Sequence, residues 1–220
     1  MKVKFRLVSD PRFRLLIFLL LSSSIVALSV LAAIYTTFPG DEKVLEAFHE
    51  IETSWLTSAA RNVTQLGSAA VIAVSILALG TFLWITGRRR DAMGCAFIAL
   101  AELSGLGIKE LVGRPRPDFI LLSSAPASAA FPSGHAIHSV LFFGFLIHLC
   151  WFHMGSTRLR AALQGLIALS ILTVSASRIY LGVHWPSDVL GGYLYGAFFL
   201  WILIWAVRGH RFGLLSKGRD

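Results

Sequence analysis

Residues 13–35 read FRLLIFLLLSSSIVALSVLAAIY, a stretch whose one charge is Arg14. An α-helix rises about 1.5 Å per residue, so about 20 apolar residues cross a bilayer core roughly 30 Å thick. This stretch is long enough to do so. Lys2, Lys4, Arg6, Arg12 and Arg14 form a basic head in front of it, which a signal peptide would also show. The run is long for a signal peptide, and Leu31-Ala32-Ala33 is a weak cleavage pattern. The stretch therefore predicts an uncleaved first span.

Working outward, similar runs recur at 66–86, 92–112, 136–152, 161–180 and 186–207. The chain is 55% hydrophobic and 15% charged, with a mean hydropathy of +0.70. Soluble domains carry about 25% charged residues. The expectation is an all-α membrane protein, a six-transmembrane-helix bundle forming one domain over residues 1–220. Phe38-Pro39-Gly40-Asp41 breaks the first helix. In residues 41–62, Leu45, Phe48, Ile51, Trp55 and Ala59 recur at helical spacing, with Glu42, Lys43, Glu46 and Glu50 on the other side. That pattern predicts an amphipathic helix in the interface plane, with an ordinary extramembrane helix as the alternative.

The formal net charge is +8. The basic residues cluster in short segments: the N-terminus, Arg88-Arg89-Arg90, the 154–160 connection with Arg158 and Arg160, and the tail with Arg208, Arg211, Lys217 and Arg219. Six spans put all four clusters on one side, the cytoplasmic side by the positive-inside rule. Both termini are then cytoplasmic, and segments 39–62, 113–135 and 180–185 lie outside. Charge placed this way is a topology signal and argues against nucleic acid as a partner. Cys95 and Cys150 have no CxxC partner, so neither a disulfide framework nor a metal site is expected.

The outer segments hold the polar residues that a span does not need. Lys109, Glu110, Arg114 and Arg116 close the third run, with Pro115 and Pro117 stiffening the backbone. Snorkelling explains one such cation but not three. Ser133 precedes the fourth run as a natural N-cap, followed by Gly134 and His135, and a helix N-terminus offers N–H groups to an anion. A plain cap is the structural alternative. Ser177-Arg178 ends the fifth run, and His184-Trp185-Pro186-Ser187-Asp188 opens the sixth. There Asp188 can reach back to the imidazole and fix its tautomer. Arginines and helix N-termini match phosphate oxygens, and two histidines can serve as nucleophile and acid. No acid, histidine and cysteine cluster suggests a metal. The chemistry points to a metal-independent phosphatase for a membrane-held phosphate ester, without a cofactor.

Lys109 with Arg116-Pro117, Pro132-Ser133-Gly134-His135, and Ser177-Arg178 with His184 and Asp188 reproduce three motifs, K-x6-RP, PSGH and SR-x5-H-x3-D, in order over residues 109–188. The chain closely resembles the type 2 phosphatidic acid phosphatase (PAP2) superfamily, above all its small bacterial phosphatidylglycerophosphatase B and undecaprenyl pyrophosphate phosphatase members. The resemblance implies a six-helix core in a bacterial cytoplasmic membrane, with the site on the periplasmic or extracellular side. It implies His184 as nucleophile, Asp188 as its orienting partner and His135 as general acid. Lys109, Arg116 and Arg178 would hold the phosphate, with Ser133 and Gly134 assisting. Arg114, Glu110 and His138 are candidates for the mouth of the site. Glu102, on the Lys109 face of its helix, is expected to make a helix-packing or lipid-groove contact. His148 and His153 lie toward the inner end.

The expected partners are the bilayer and a lipid phosphate or pyrophosphate, with no obligate protein partner. Undecaprenyl pyrophosphate is the first choice of substrate, because cell-wall synthesis releases it at the outer leaflet. Phosphatidylglycerophosphate is second, with phosphatidate and diacylglycerol pyrophosphate also open. A lipid or anion transporter is the remote alternative, since cations facing a cavity could serve one.

Overall fold

The computed structural model describes residues 10–118 and 127–216, with side chains through Val207. Among the described residues the regular structure is helical: α1 Pro11–Ile34, α2 Asp41–Glu50, α3 Ser54–Gln65, α4 Ala69–Ile85, α5 Arg89–Val112, α6 Gly134–His153, α7 Arg158–Tyr180 and α8 Pro186–Ser216. Local chemistry sets their ends. Asp10 caps α1 by accepting from the Arg12 N–H at 2.8 Å, with Pro11 in the first turn. Thr157 caps α7 in the same way, accepting from Arg160 N–H at 3.2 Å. α5 ends where Gly113 turns left-handed at φ 62° and donates back to the Lys109 carbonyl. α6 contains one π turn, Ser139–Phe143.

Among the described residues, four helices are long and apolar enough to cross a membrane: Pro11–Ile34, Gly134–His153, Arg158–Tyr180 and Pro186–Val207. A fifth span exists if Ser54–Gln65 and Ala69–Ile85, bent by 41°, form one broken crossing. This overturns the six-span expectation. Two of the six runs do not stand as spans by themselves. α4 is only 17 residues long. α5 has Arg89, Arg90 and Asp91 in its first turn, Glu102 in the middle and Lys109-Glu110 in its last turn, and is not among the spanning helices. The single amphipathic helix over 41–62 is also two helices, separated at Ile51–Thr53, where Thr53 is extended. The apolar side of that region packs inward: Phe48, Leu56 and Ala60 meet Tyr180, Leu181 and Val183.

The main core lies where α4, α5, α6 and α8 meet, around Ile72, Ile76, Leu83, Cys95, Ile98, Leu141, Phe145 and Leu203. α1 packs on α8, and α3 on α7. The outward surface is apolar too: Leu15, Val26, Ile34, Val74, Leu77, Ile85, Leu166 and Leu172 are all exposed. Facing water, so much apolar surface would be a liability; facing lipid it needs no cover. α8 approaches the start of α6 so closely that a Cβ at Gly192 would lie 2.7 Å from the Ser133 carbonyl oxygen. That approach seats the N-terminus of α6 beside the first turn of α8.

Candidate active site

Five segments converge at one end of the bundle. α5 delivers Lys109 in its last turn. The irregular stretch after it brings Arg114 and Arg116. The start of α6 supplies Ser133, Gly134, His135 and His138, the end of α7 supplies Arg178, and the α7–α8 connection with the first turn of α8 supplies His184 and Asp188. The Ser133 N–H donates to the Asp188 carbonyl at 3.0 Å, tying α6 to α8. Asp188 sits in the first turn of α8 and accepts from the Trp185 N–H at 2.9 Å, as a residue at that position does in a capping box.

His184 is 2% exposed. Its Nδ1 lies 3.5 Å from Asp188 Oδ2, and its Nε2 lies 3.3 Å from Arg116 Nη1. Arg116 also donates to the Val183 carbonyl, to the Ser128 carbonyl at 3.0 Å and to the Ala129 carbonyl at 3.3 Å. Lys109 is buried and donates to the Ala129 carbonyl at 2.7 Å. Arg178 is buried, donating to Thr64 Oγ1 at 2.9 Å, while its Nε has no acceptor. His135 lies within electrostatic reach of Arg178, His184, Lys109 and Arg116. Burial, reinforced by Lys109, Arg116 and Arg178, holds His184 well below the ordinary histidine value, while a backbone hydrogen bond at Ala130 pulls the other way. A neutral imidazole beside cations keeps a lone pair available to an electrophile.

The structure therefore brings Lys109, Arg116, Ser133, Gly134, His135, Arg178, His184 and Asp188 to one place. Ser133 stands at the N-cap position of α6, yet its hydroxyl makes no capping bond and is buried without a partner. Of the three mouth candidates, Glu110 is exposed on the last turn of α5. His138 is partly buried, and its Nδ1 pairs with Glu102 Oε2. Arg114 is not at the mouth. It is 1% exposed, donating to Asp188 Oδ1 at 2.6 Å, Asp41 Oδ2 at 3.0 Å, Ser187 Oγ at 2.8 Å and the Thr36 carbonyl at 3.0 Å. The guanidinium also lies over the Phe38 ring. The tightest partner of Asp188 is thus Arg114, not His184.

Asp41 and Thr64 are the residues that sequence reasoning missed. Asp41 accepts from Ser187 Oγ at 2.6 Å and Ser187 N–H at 2.9 Å, which fastens the start of α2 to the first turn of α8. Glu110 and Asp118 lie four residues from Arg114 on either side, so nothing in the sequence points past them to Asp41. At the far end of the bundle, His153 Nε2 meets Asp91 Oδ2 at 2.7 Å and His148 stacks on Phe145, away from the site. Among the described residues, no group of three acid, histidine or cysteine side chains is arranged to hold a metal.

Residues 92–212 match the family model of the PAP2 superfamily. The chain belongs to the PAP2 superfamily. It is a phosphoric-ester or diphosphate hydrolase of membrane lipid phosphates, and a multi-pass protein of the bacterial membrane type. A phosphatidylglycerophosphatase B of Bacillus subtilis (strain 168) is 28% identical over 196 residues, covering 88% of this chain and 91% of that protein. A putative undecaprenyl-diphosphatase of Escherichia coli (strain K12) is 33% identical over 150 residues, covering 64% of this chain and 71% of that protein. In fold, this PAP2 protein matches the crystal structure of the transmembrane PAP2-type phosphatidylglycerolphosphate phosphatase from Bacillus subtilis. The TM-score is 0.71 at 22% identity, over 90% of this chain and 98% of that one.

Proposed function

We propose that this PAP2 protein removes the terminal phosphate of phosphatidylglycerophosphate. The observation that carries the choice is the near end-to-end match to a phosphatidylglycerophosphatase B, which spans 88% of this chain and 91% of that protein. It reverses the order reached from sequence, which put undecaprenyl pyrophosphate first. The match to the putative undecaprenyl-diphosphatase covers less, 64% of this chain and 71% of that protein.

In the proposed mechanism, His184 Nε2 attacks phosphorus while Nδ1 faces Asp188. Lys109, Arg116 and Arg178 meet the charge that develops on the equatorial oxygens, together with Ser133 and the Gly134 N–H. The bond from phosphorus to the leaving glycerol oxygen breaks, and protonated His135 gives that oxygen its proton. A phosphohistidine and a lipid alcohol result. His135, now neutral, takes a proton from water, whose oxygen attacks phosphorus; the phosphohistidine bond breaks and His184 and phosphate are released. Three cations supply the positive charge that a metal ion supplies elsewhere, so the reaction needs no metal.

The site is proposed to face away from the cytoplasm. The start of α6, the end of α7, the start of α8 and the segment after α1 all lie at the site. Arg158 and Arg160 lie at the opposite ends of α6 and α7, and Arg88-Arg89-Arg90 at the opposite end of α5. Basic connections face the cytoplasm, which also places both termini there.

Measuring kcat/KM on phosphatidylglycerophosphate and undecaprenyl pyrophosphate in matched detergent, with EDTA present, tests the proposal. Preference for the glycerol lipid, undiminished by EDTA, is expected. So is radiolabel trapped on the wild type in an alkali-stable form and absent from His184→Ala. Preference for the diphosphate would reverse the substrate. Loss of activity in EDTA with recovery in Mg²⁺, or label persisting on His184→Ala, would end the mechanism.

A further inference from the structure

Between α4 and α5 lies a groove of about 850 Å³. Small side chains such as Ala73, Gly80 and Ala96 line it, and Leu77, Met93 and Leu106, all exposed, are among its walls. An open channel of this size and polarity at a lipid-facing surface suits a hydrocarbon chain. The acid and the histidine in its lining are Glu102 and His138.

This pair belongs to the groove and to the phosphate site at once. His138 Nδ1 meets Glu102 Oε2. Its other nitrogen points at the site: a Cβ at Gly134 would lie 3.7 Å from His138 Nε2 and 3.9 Å from Lys109 Cε. The His138 and His135 ring centres are 6.3 Å apart. Glu102 Oε1 is buried with no hydrogen-bond partner. A buried carboxylate oxygen without a donor is costly unless something brings one. His138 Nδ1 faces Glu102 Oε2 without forming a hydrogen bond, and the free acceptor that the junction offers is Glu102 Oε1.

A lipid phosphate with its phosphorus at His184 and its hydrocarbon in the groove must run its linker past this pair. We propose that Glu102 and His138 read that linker, and that they select substrates carrying a free hydroxyl between the phosphate and the hydrocarbon chain. The inference rests on the phosphatidylglycerophosphate reading above and adds the reason for it. The glycerol linker of that lipid presents a hydroxyl that can donate to Oε1. A polyprenyl diphosphate puts a second phosphate close to the same place, anion against carboxylate, with no hydroxyl to give. Sites built to bond a hydroxyl reject substrates without one far more strongly than apolar pockets discriminate a methylene.

The test uses full-length protein and three lipids: phosphatidylglycerophosphate, its analogue lacking the linker hydroxyl, and undecaprenyl pyrophosphate. Wild type should lose roughly tenfold or more in kcat/KM on the deoxy analogue, the effect of one lost hydrogen bond. Glu102→Gln keeps the side chain's shape while removing its charge. It should lower kcat/KM on phosphatidylglycerophosphate and raise it on the diphosphate, narrowing their ratio roughly tenfold. Equal turnover of the deoxy analogue by wild type would overturn the proposal. So would a Glu102→Gln variant in which both natural lipids fall together, as a packing role predicts. The wild-type preference between the natural lipids tests the functional reading by itself, and the shift in ratio tests the pair whichever lipid wild type prefers. If Glu102→Gln does not fold, the deoxy analogue still decides on wild type.

Discussion

Replacing Arg114 by methionine keeps an unbranched, mostly apolar side chain and removes the guanidinium. Arg114 is 1% exposed, and the acids it joins, Asp41 and Asp188, are 3% and 0% exposed. Without it, both carboxylates stay buried with neutral donors alone: Phe38 N–H, Ser187 N–H and Ser187 Oγ on Asp41, and Trp185 N–H on Asp188. Removing one partner of a buried, hydrogen-bonded ion pair costs about 3–5 kcal/mol, because the charge left behind is desolvated and uncompensated. A chain of 150–250 residues loses about 2–4 °C of Tm per kcal/mol, so Arg114→Met should melt roughly 6–20 °C lower. Activity should fall further than folding explains, since Asp188 loses the 2.6 Å bond at Oδ1 that orients the carboxylate whose Oδ2 faces His184. Adding Asp41→Asn to Arg114→Met removes one stranded charge and should recover part of the lost Tm, whereas Asp41→Asn alone should lower it. Thermal unfolding of the four proteins in detergent gives the cycle and its coupling. An Arg114→Met protein melting within about 2 °C of wild type, less than one kcal/mol at this length, would refute the reasoning.

The His184 environment predicts a pH dependence of stability. Its folded-state value is held well below 6.5 by burial and by Lys109, Arg116 and Arg178, so below that pH the unfolded chain binds a proton that the folded chain refuses. This contribution makes stability fall as pH drops below about 6.5, by up to about 1.4 kcal/mol per pH unit. Melting between pH 7.5 and 5.5 should show the loss in wild type and a shallower slope in His184→Gln; equal slopes would refute it. For orientation, single cysteines introduced by Ala127→Cys and Arg89→Cys, in a background lacking Cys95 and Cys150, should differ in cells. An impermeant reagent should label position 127 and not 89, and the reverse pattern would invert the protein.

The gathering of the site was legible because its signals are local. Lys109 and Arg178 close helices, Ser133 and Asp188 open them, and prolines at 115, 117, 132 and 186 mark those ends. Asp41 and Thr64 carried no such mark. Their partners Arg114 and Arg178 lie 73 and 114 residues away, and no local rule spans that distance. Arg114 was assigned to the mouth because an irregular segment has no periodicity to tell inward from outward. The span count failed for a related reason. Hydropathy registers how apolar a run is, whereas the structure sets how long each helix is. Residues 66–86 contain a 17-residue helix, and 92–112 belong to a helix with charges in its first turn, middle and last turn.

The order of synthesis spreads the Asp41–Arg114–Asp188 arrangement over time. Asp41 leaves the ribosome first, Arg114 follows 73 residues later, and Asp188 a further 74 residues after that. At about 5–20 residues per second, Arg114 precedes Asp188 by about 4–15 s. Both members of the Asp41–Arg114 ion pair are therefore made before the acid that completes the arrangement. In the folded chain one guanidinium joins an early, a middle and a late stretch of the sequence, so the first turn of α8 closes against residues synthesised long before it.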